Sequence, residues 1–175
     1  MGKVSVGQKA PLFKADSYNA GTIDLEEMVG KQKIVLVFSR YFGCPICQVD
    51  LKELIEKLPD IEAKGAKVLY ITQSSKEKAD EFIKRYNITF PVIPSPQESK
   101  KVFTLYKQYD LGMMSIDAVK KVRGKLKETK KAGIEHGDYE GWEKQCPGQF
   151  VIGEDGNIIQ AEKSWLDVES IIEVL

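Results

Sequence analysis

The chain has 175 residues, 42% of them hydrophobic and 30% charged, a balance that can fill a core and excludes wholesale disorder. Its 26 basic residues offset its 26 acidic ones, so the charge gives no reason to expect nucleic acid or an anionic membrane as partner. Met1–Gly7 lacks the apolar stretch of a secretion signal and no run reaches membrane-spanning length, which makes the cytoplasm the expected compartment and a single domain over 1–175 the expected organisation.

Ile34-Val35-Leu36-Val37-Phe38 is a short unbroken apolar run, the pattern of a strand buried on both faces of a sheet. The loop Ser39-Arg40-Tyr41-Phe42-Gly43 leads from it to Cys44-Pro45-Ile46-Cys47. Leu51, Leu54, Ile55 and Leu58 then form one helical stripe, which Pro59 is expected to end. Val68-Leu69-Tyr70-Ile71 predicts a second buried strand, and Ala79, Phe82, Ile83 and Tyr86 a second amphipathic helix. Two strand–helix units in succession imply parallel strands.

The stretch from about 98 to 146 is less regular and is expected to be a helical insertion. Ile116, Val119, Val122 and Leu126 predict a helix with one apolar side. Its other side carries Lys120, Lys121, Arg123, Lys125, Lys127, Lys130 and Lys131, expected as a solvated face, with an anion- or partner-binding patch as the alternative. Phe150-Val151-Ile152, a turn over 153–156, and Ile158-Ile159 predict a hairpin. Val168, Ile171, Ile172 and Leu175 close the chain with a third helix.

Two of the three cysteines lie three residues apart at the start of a predicted helix. There a thiol meets unpaired backbone N–H groups and the positive end of the helix dipole, which favour thiolate over thiol. The thiolate is the form that attacks a peroxide or a disulfide. A second cysteine one helical turn on can capture the first as a disulfide and be reduced again, so Cys44 and Cys47 can cycle without a bound cofactor. The small and polar surroundings Gly43, Pro45 and Gln48 argue against two inert core thiols. A structural zinc site needs four ligands. Cys146 and His136 would have to complete it, so no metal is expected and a thiolate metal-binding module is the lesser alternative.

With these residues in order, the chain resembles the peroxiredoxin-like, CxxC-containing branch of the AhpC/TSA (redoxin) family within the thioredoxin superfamily. Gly7-Gln8-Lys9-Ala10-Pro11-Leu12-Phe13 followed by Gly21-Thr22-Ile23-Asp24-Leu25 is similar to the family's N-terminal hairpin. Val37 to Cys47 is similar to its active-site motif, and Pro147-Gly148-Gln149-Phe150-Val151-Ile152 with Asp155-Gly156 to its late hairpin. The resemblance covers nearly the whole chain. It implies an α/β thioredoxin-like fold, a central mixed β-sheet flanked by helices, with the N-terminal hairpin in front and the insertion before the last hairpin.

The resemblance also implies an antioxidant oxidoreductase. Its first form is a thiol-dependent peroxidase reducing hydrogen peroxide or organic hydroperoxides, recycled by a thioredoxin-like or low-molecular-weight thiol reductant. The alternative is a thiol–disulfide oxidoreductase acting on protein disulfides. Dimers are common among relatives, which makes a homodimer an expectation from the family alone. Counted from Phe38, the family's motif proline falls on Arg40, its threonine on Cys44 and its peroxidatic cysteine on Cys47, while its later arginine falls on Pro147. The family spacing thus makes Cys47 the attacking thiol, whereas a thioredoxin-like reading gives that role to Cys44, the end normally more exposed.

Supporting residues follow from the same frame. Arg40 could stabilise a thiolate or orient a peroxide, or be an exposed loop charge. Tyr41 and Phe42 are expected in the pocket wall or the core. Pro147 stands where thioredoxin-like proteins place a cis-proline, its alternative being the start of an edge strand. A cis-proline there would set Cys146 beside the cysteine pair as a second resolving thiol, a soft ligand or a passive neighbour. His136, the single histidine, is expected at the surface.

Overall fold

The computed structural model describes residues 4–175; Met1, Gly2 and Lys3, which begin the segment read for a secretion signal, lie outside the described residues. Strands β1 (Lys14–Asp16) and β2 (Thr22–Asp24) pair antiparallel, and a short helix α1 (Leu25–Met28) follows, capped by the Asp24 carboxylate. The hairpin therefore begins just after Phe13 rather than within 7–13. The earlier residues run to the far hairpin instead, with the Gly7 N–H donating to the Ile158 carbonyl at 2.8 Å.

Next come β3 (Lys33–Phe38), α2 (Pro45–Ala63), β4 (Ala66–Thr72), α3 (Lys76–Tyr86) and β5 (Val92–Pro94). The three strands run parallel, as the repeated strand–helix pattern implied. There follow a small ribbon of β6 (Gln97–Ser99) and β7 (Val102–Phe103), then α4 (Thr104–Gln108) and α5 (Ile116–Lys131). The chain ends with β8 (Gly148–Ile152), β9 (Ile158–Glu162) and α6 (Val168–Val174). The main sheet has the order β5-β4-β3-β8-β9 and is mixed, since β8 lies antiparallel to both β3 and β9.

β3 shows why an unbroken apolar run belongs at the centre. Ile34, Leu36 and Phe38 face one core with Tyr106, Tyr109 and Phe150, while Val35 and Val37 face the other with Leu51, Leu54 and Ile171. Side chains alternate across a strand, so burial on both faces needs apolar residues at every position. Each such burial contributes roughly 1.5–3 kcal/mol. Two cores grip this strand, and its C-terminal end holds the cysteine loop in place.

Three expectations need correction. Pro59 does not end α2; the helix runs through it to Ala63. The ring costs one helical hydrogen bond, but Leu58 and Ile61 on either side are buried and hold the turn against the sheet. In α5 the predicted apolar side is packed only in part: Ile116 is 77% and Val119 57% exposed, Val122 packs against the core and lines the cleft with Leu126, and Ala118 and Thr129 are buried. The small Ala118 admits Trp165, whose indole Nε1–H donates to the Ala118 carbonyl at 2.8 Å, and this sets the rotation of the helix. Finally, no described peptide bond is cis, so Pro147 is trans; nor does it start an edge strand, because β8 has neighbours on both sides. The antiparallel register sets Phe38 opposite Gly148 and leaves Pro147 just beyond the end of the ladder.

Among the described residues no helix is long and apolar enough to cross a membrane.

Candidate active site

Cys44 is the N-cap of α2 and Pro45 its first helical residue. Proline suits that position because the missing N–H would have no helical acceptor and its fixed φ matches the helix. The Cys44 sulfur takes the place of a capping oxygen, accepting from the Cys47 N–H at 3.5 Å. Helix polarity and local hydrogen bonding therefore both act on one sulfur.

Arg40 completes the environment. It is not an exposed loop charge: only 7% of its surface is accessible, and its Nη1–H donates to Cys44 Sγ at 3.6 Å. Nη2 donates to the Glu143 carbonyl. The guanidinium carbon lies 5.2 Å from the Tyr41 ring centroid and 5.6 Å from that of Trp165, within range of cation–π attraction to both. Nε–H has no hydrogen-bond partner among the described residues, which leaves it an uncommitted donor.

These contacts separate the two thiols. Cys44 is pulled down to about 7, first by the Cys47 thiol donating to it, with help from the Arg40 charge and the Cys47 and Ile46 N–H groups, against burial. Cys47 is pushed well above the ordinary thiol value by burial and then by its bond to Cys44. Cys44 is therefore the more acidic thiol of the pair and Cys47 the one that keeps its proton.

The loop after α5 covers the pair. Gly43 meets Gly137, whose N–H donates to the Gly43 carbonyl at 2.8 Å. A Cβ on Gly43 would lie 2.2 Å from the Asp138 carbonyl oxygen, so only glycine allows this approach. Tyr41 Oη lies 3.2 Å from His136 Nε2, and the His136 ring stacks on Tyr139 with centroids 4.0 Å apart. His136 is exposed, as expected of a surface residue, yet it helps roof the site. Under this roof a cleft of about 400 Å³ reaches Cys44, lined by Arg40, Tyr41, Ile46, Met114, Trp165 and their neighbours. Phe42 points away, stacked on Tyr70 and Phe82 in the other core.

Cys146 is buried, and its Sγ–H donates to the Lys163 carbonyl at 3.4 Å. Burial pushes its thiol up, so it is a weak nucleophile. Among the described residues no group of three or more His, Cys, Asp and Glu side chains is arranged to hold a metal ion.

Sequence reasoning missed Asp50, Lys125, Trp165 and Glu143. Asp50 left a signal: it lies one turn past Cys47 on the face that carries Leu51, Leu54 and Leu58, where a carboxylate must be buried. Glu143 contributes only a carbonyl, which no residue type could reveal.

The AhpC/TSA family model matches residues 6–161. A Helicobacter pylori protein named as a bcp peroxiredoxin is 31% identical over 114 residues, which are 65% of this chain and 73% of that protein. Among solved structures, Peroxidoxin BcpB from Mycobacterium tuberculosis is similar with a TM-score of 0.69 at 12% identity, over 98% of this chain and 96% of that one. A thiol:disulfide interchange protein of the thioredoxin family from Chlorobium tepidum is similar with a TM-score of 0.59 at 13% identity, over 99% and 96%. The last two show a shared fold. With the match running from before the N-terminal hairpin into β9, and the cysteine pair inside it, this chain belongs to the AhpC/TSA family.

Proposed function

We propose that the protein is a thiol-dependent peroxidase in which Cys44 attacks the peroxide and Cys47 resolves. One observation carries the assignment: the Cys44 sulfur caps α2 beside the buried Arg40, with its pKa near 7, while Cys47 is held protonated behind it. The Cys44 thiolate attacks one peroxide oxygen, the O–O bond breaks, and the leaving alkoxide or hydroxide takes a proton to depart as alcohol or water. Arg40, with Nη1 on the Cys44 sulfur, sits where it can neutralise charge shifting from sulfur to oxygen. Cys47 then condenses with the sulfenic acid, releasing water and forming the Cys44–Cys47 disulfide. A thioredoxin-like protein or a low-molecular-weight thiol returns both sulfurs to the reduced state.

The second reading, a thiol–disulfide oxidoreductase, rests on the order of the two thiols, attacking cysteine first and resolving cysteine one turn on. Access favours the peroxidase. Cys44 is 2% exposed on the wall of a cleft of about 400 Å³, which a small peroxide enters directly, whereas a protein thiol or disulfide has to bring its sulfur into the cleft.

The test compares hydrogen peroxide consumption with insulin disulfide reduction, each driven by a thioredoxin-type donor. Peroxide turnover well above that of a free thiol, with slow insulin reduction, is the expected result. Cys47→Ser should still trap a sulfenic acid and Cys44→Ser should not; the reverse pattern would move the attacking role to Cys47.

A further inference from the structure

Behind the cysteine pair lies a second, much smaller cavity of about 10 Å³, and Cys47 and Asp50 both line it, with Ser39 and Tyr70 as further polar neighbours. The volume admits one water molecule at most, and the four polar groups suffice to hold it. Asp50 follows Cys47 by three residues on α2, so the two side chains share a face of the helix. The Asp50 residue is 6% exposed, and its Oδ1 accepts from Lys125 Nζ at 2.7 Å. Lys125 comes from α5 in the insertion and also donates to the Leu166 carbonyl at 3.2 Å. A basic residue expected on the solvated side thus reaches inward to a carboxylate beside the resolving thiol.

Resolution demands such a group. Cys47 is the weaker acid of the pair, yet it must become a thiolate to attack the Cys44 sulfenic acid, and its proton has to go somewhere inside the protein. We propose that Asp50, held by Lys125, accepts the Cys47 proton as the disulfide forms and returns it when the disulfide is reduced. This rests on the assignment of Cys47 as resolving thiol. In the forward step the Cys47 S–H proton passes to the Asp50 carboxylate, directly or through one water. The sulfur lone pair forms the S–S bond, the Cys44 S–O bond breaks, and hydroxide leaves and takes up a proton as water. In the reverse step an external thiolate attacks Cys44 Sγ, the S–S bond breaks, and the departing Cys47 thiolate takes the proton back from Asp50.

The electrostatics suit this exchange. Burial outweighs the attraction of Lys125 and raises Asp50 to about 7, within reach of both directions near neutral pH. The charged and titratable groups facing it are Lys125 and Glu128 on α5, Cys47 and Glu53 on α2, and Tyr70 on β4, with Asp167 beyond Glu53.

The experiment follows wild type and Asp50→Asn through a single turnover with hydrogen peroxide across pH 5.5–8.5, reading sulfenic acid decay by quenched trapping and disulfide formation by mass. Asp50→Asn should slow disulfide formation about 10²-fold and flatten its rise near pH 7. Asp50→Glu should keep the pH profile. The double variant Asp50→Asn with Lys125→Met removes the unpaired ammonium. If it folds and resolves at the wild-type rate, the pair only pins α5 to α2 and the proposal is overturned, as it is by an unchanged pH profile in Asp50→Asn. Reduction of the preformed disulfide by dithiothreitol, each variant compared with wild type at the same pH, tests the proton donor without any peroxide step. A Cys47→Ser variant that traps no sulfenic acid would fail the peroxidase reading while leaving this arm to decide the role of Asp50.

Discussion

The Arg40 guanidinium donates to the Cys44 sulfur at 3.6 Å, and the residue is buried. A charge held this close and this dry acts on the thiolate far more strongly than it would in solvent. Arg40→Met should therefore raise the Cys44 pKa by about one unit and cut alkylation by iodoacetamide at pH 7 several-fold. The pH profile of alkylation checks this; an unmoved midpoint would remove Arg40 from the site's electrostatics.

The same lowered pKa has a consequence for stability. An acid whose folded-state pKa lies below its unfolded value adds stability above the unfolded pKa, about 8.5 for a thiol, and loses it as pH falls through the folded value near 7. Thermal unfolding of the reduced protein, compared with Cys44→Ser, should show wild type gaining on the variant between pH 7 and 9. A constant difference across that range would mean that Cys44 is not preferentially ionised in the fold.

Gly43 has no room for a side chain. Gly43→Ala should either push the loop over 133–143 off the cysteine pair or distort the start of α2, at a cost of about 1–3 kcal/mol. Urea unfolding gives the cost, and faster cleavage within 133–143 by a dilute protease would identify the loop as the part that yields.

Pro59 makes the opposite prediction. It sits on the exposed side of α2 with the helix intact around it. Pro59→Ala restores a helical N–H at that position and should stabilise the protein by about 1–3 kcal/mol. A urea midpoint that does not rise would show that the fold uses the proline's rigidity elsewhere.

These cases mark what could be read from the residues alone. The sheet core was legible because β3 and β4 carry apolar residues on both faces, a pattern with few other uses. The cysteine pair was legible because Cys44-Pro45 combines an N-cap with a favoured first helical residue. β5 was not, since Val92–Pro94 is three residues long between prolines and has no room for periodicity. α5 was legible only in part, because Ile116 and Val119 face outward while Val122, a small alanine and an inward lysine make the packed side. Arg40 could be named, yet its partners could not: one is the Glu143 carbonyl, and carbonyls leave no trace in composition.

The meeting of Gly43 with Gly137 joins two distant parts of the chain through backbone alone. Nothing at that seam can be trimmed by choosing a smaller residue, since both partners are already the smallest available. Shortening or grafting the segment after α5 would thus uncover the sulfurs unless the new loop brought a bare main chain to the same spot. The segment after α5 is as much a component of the proposed redox centre as the helix that carries its cysteines.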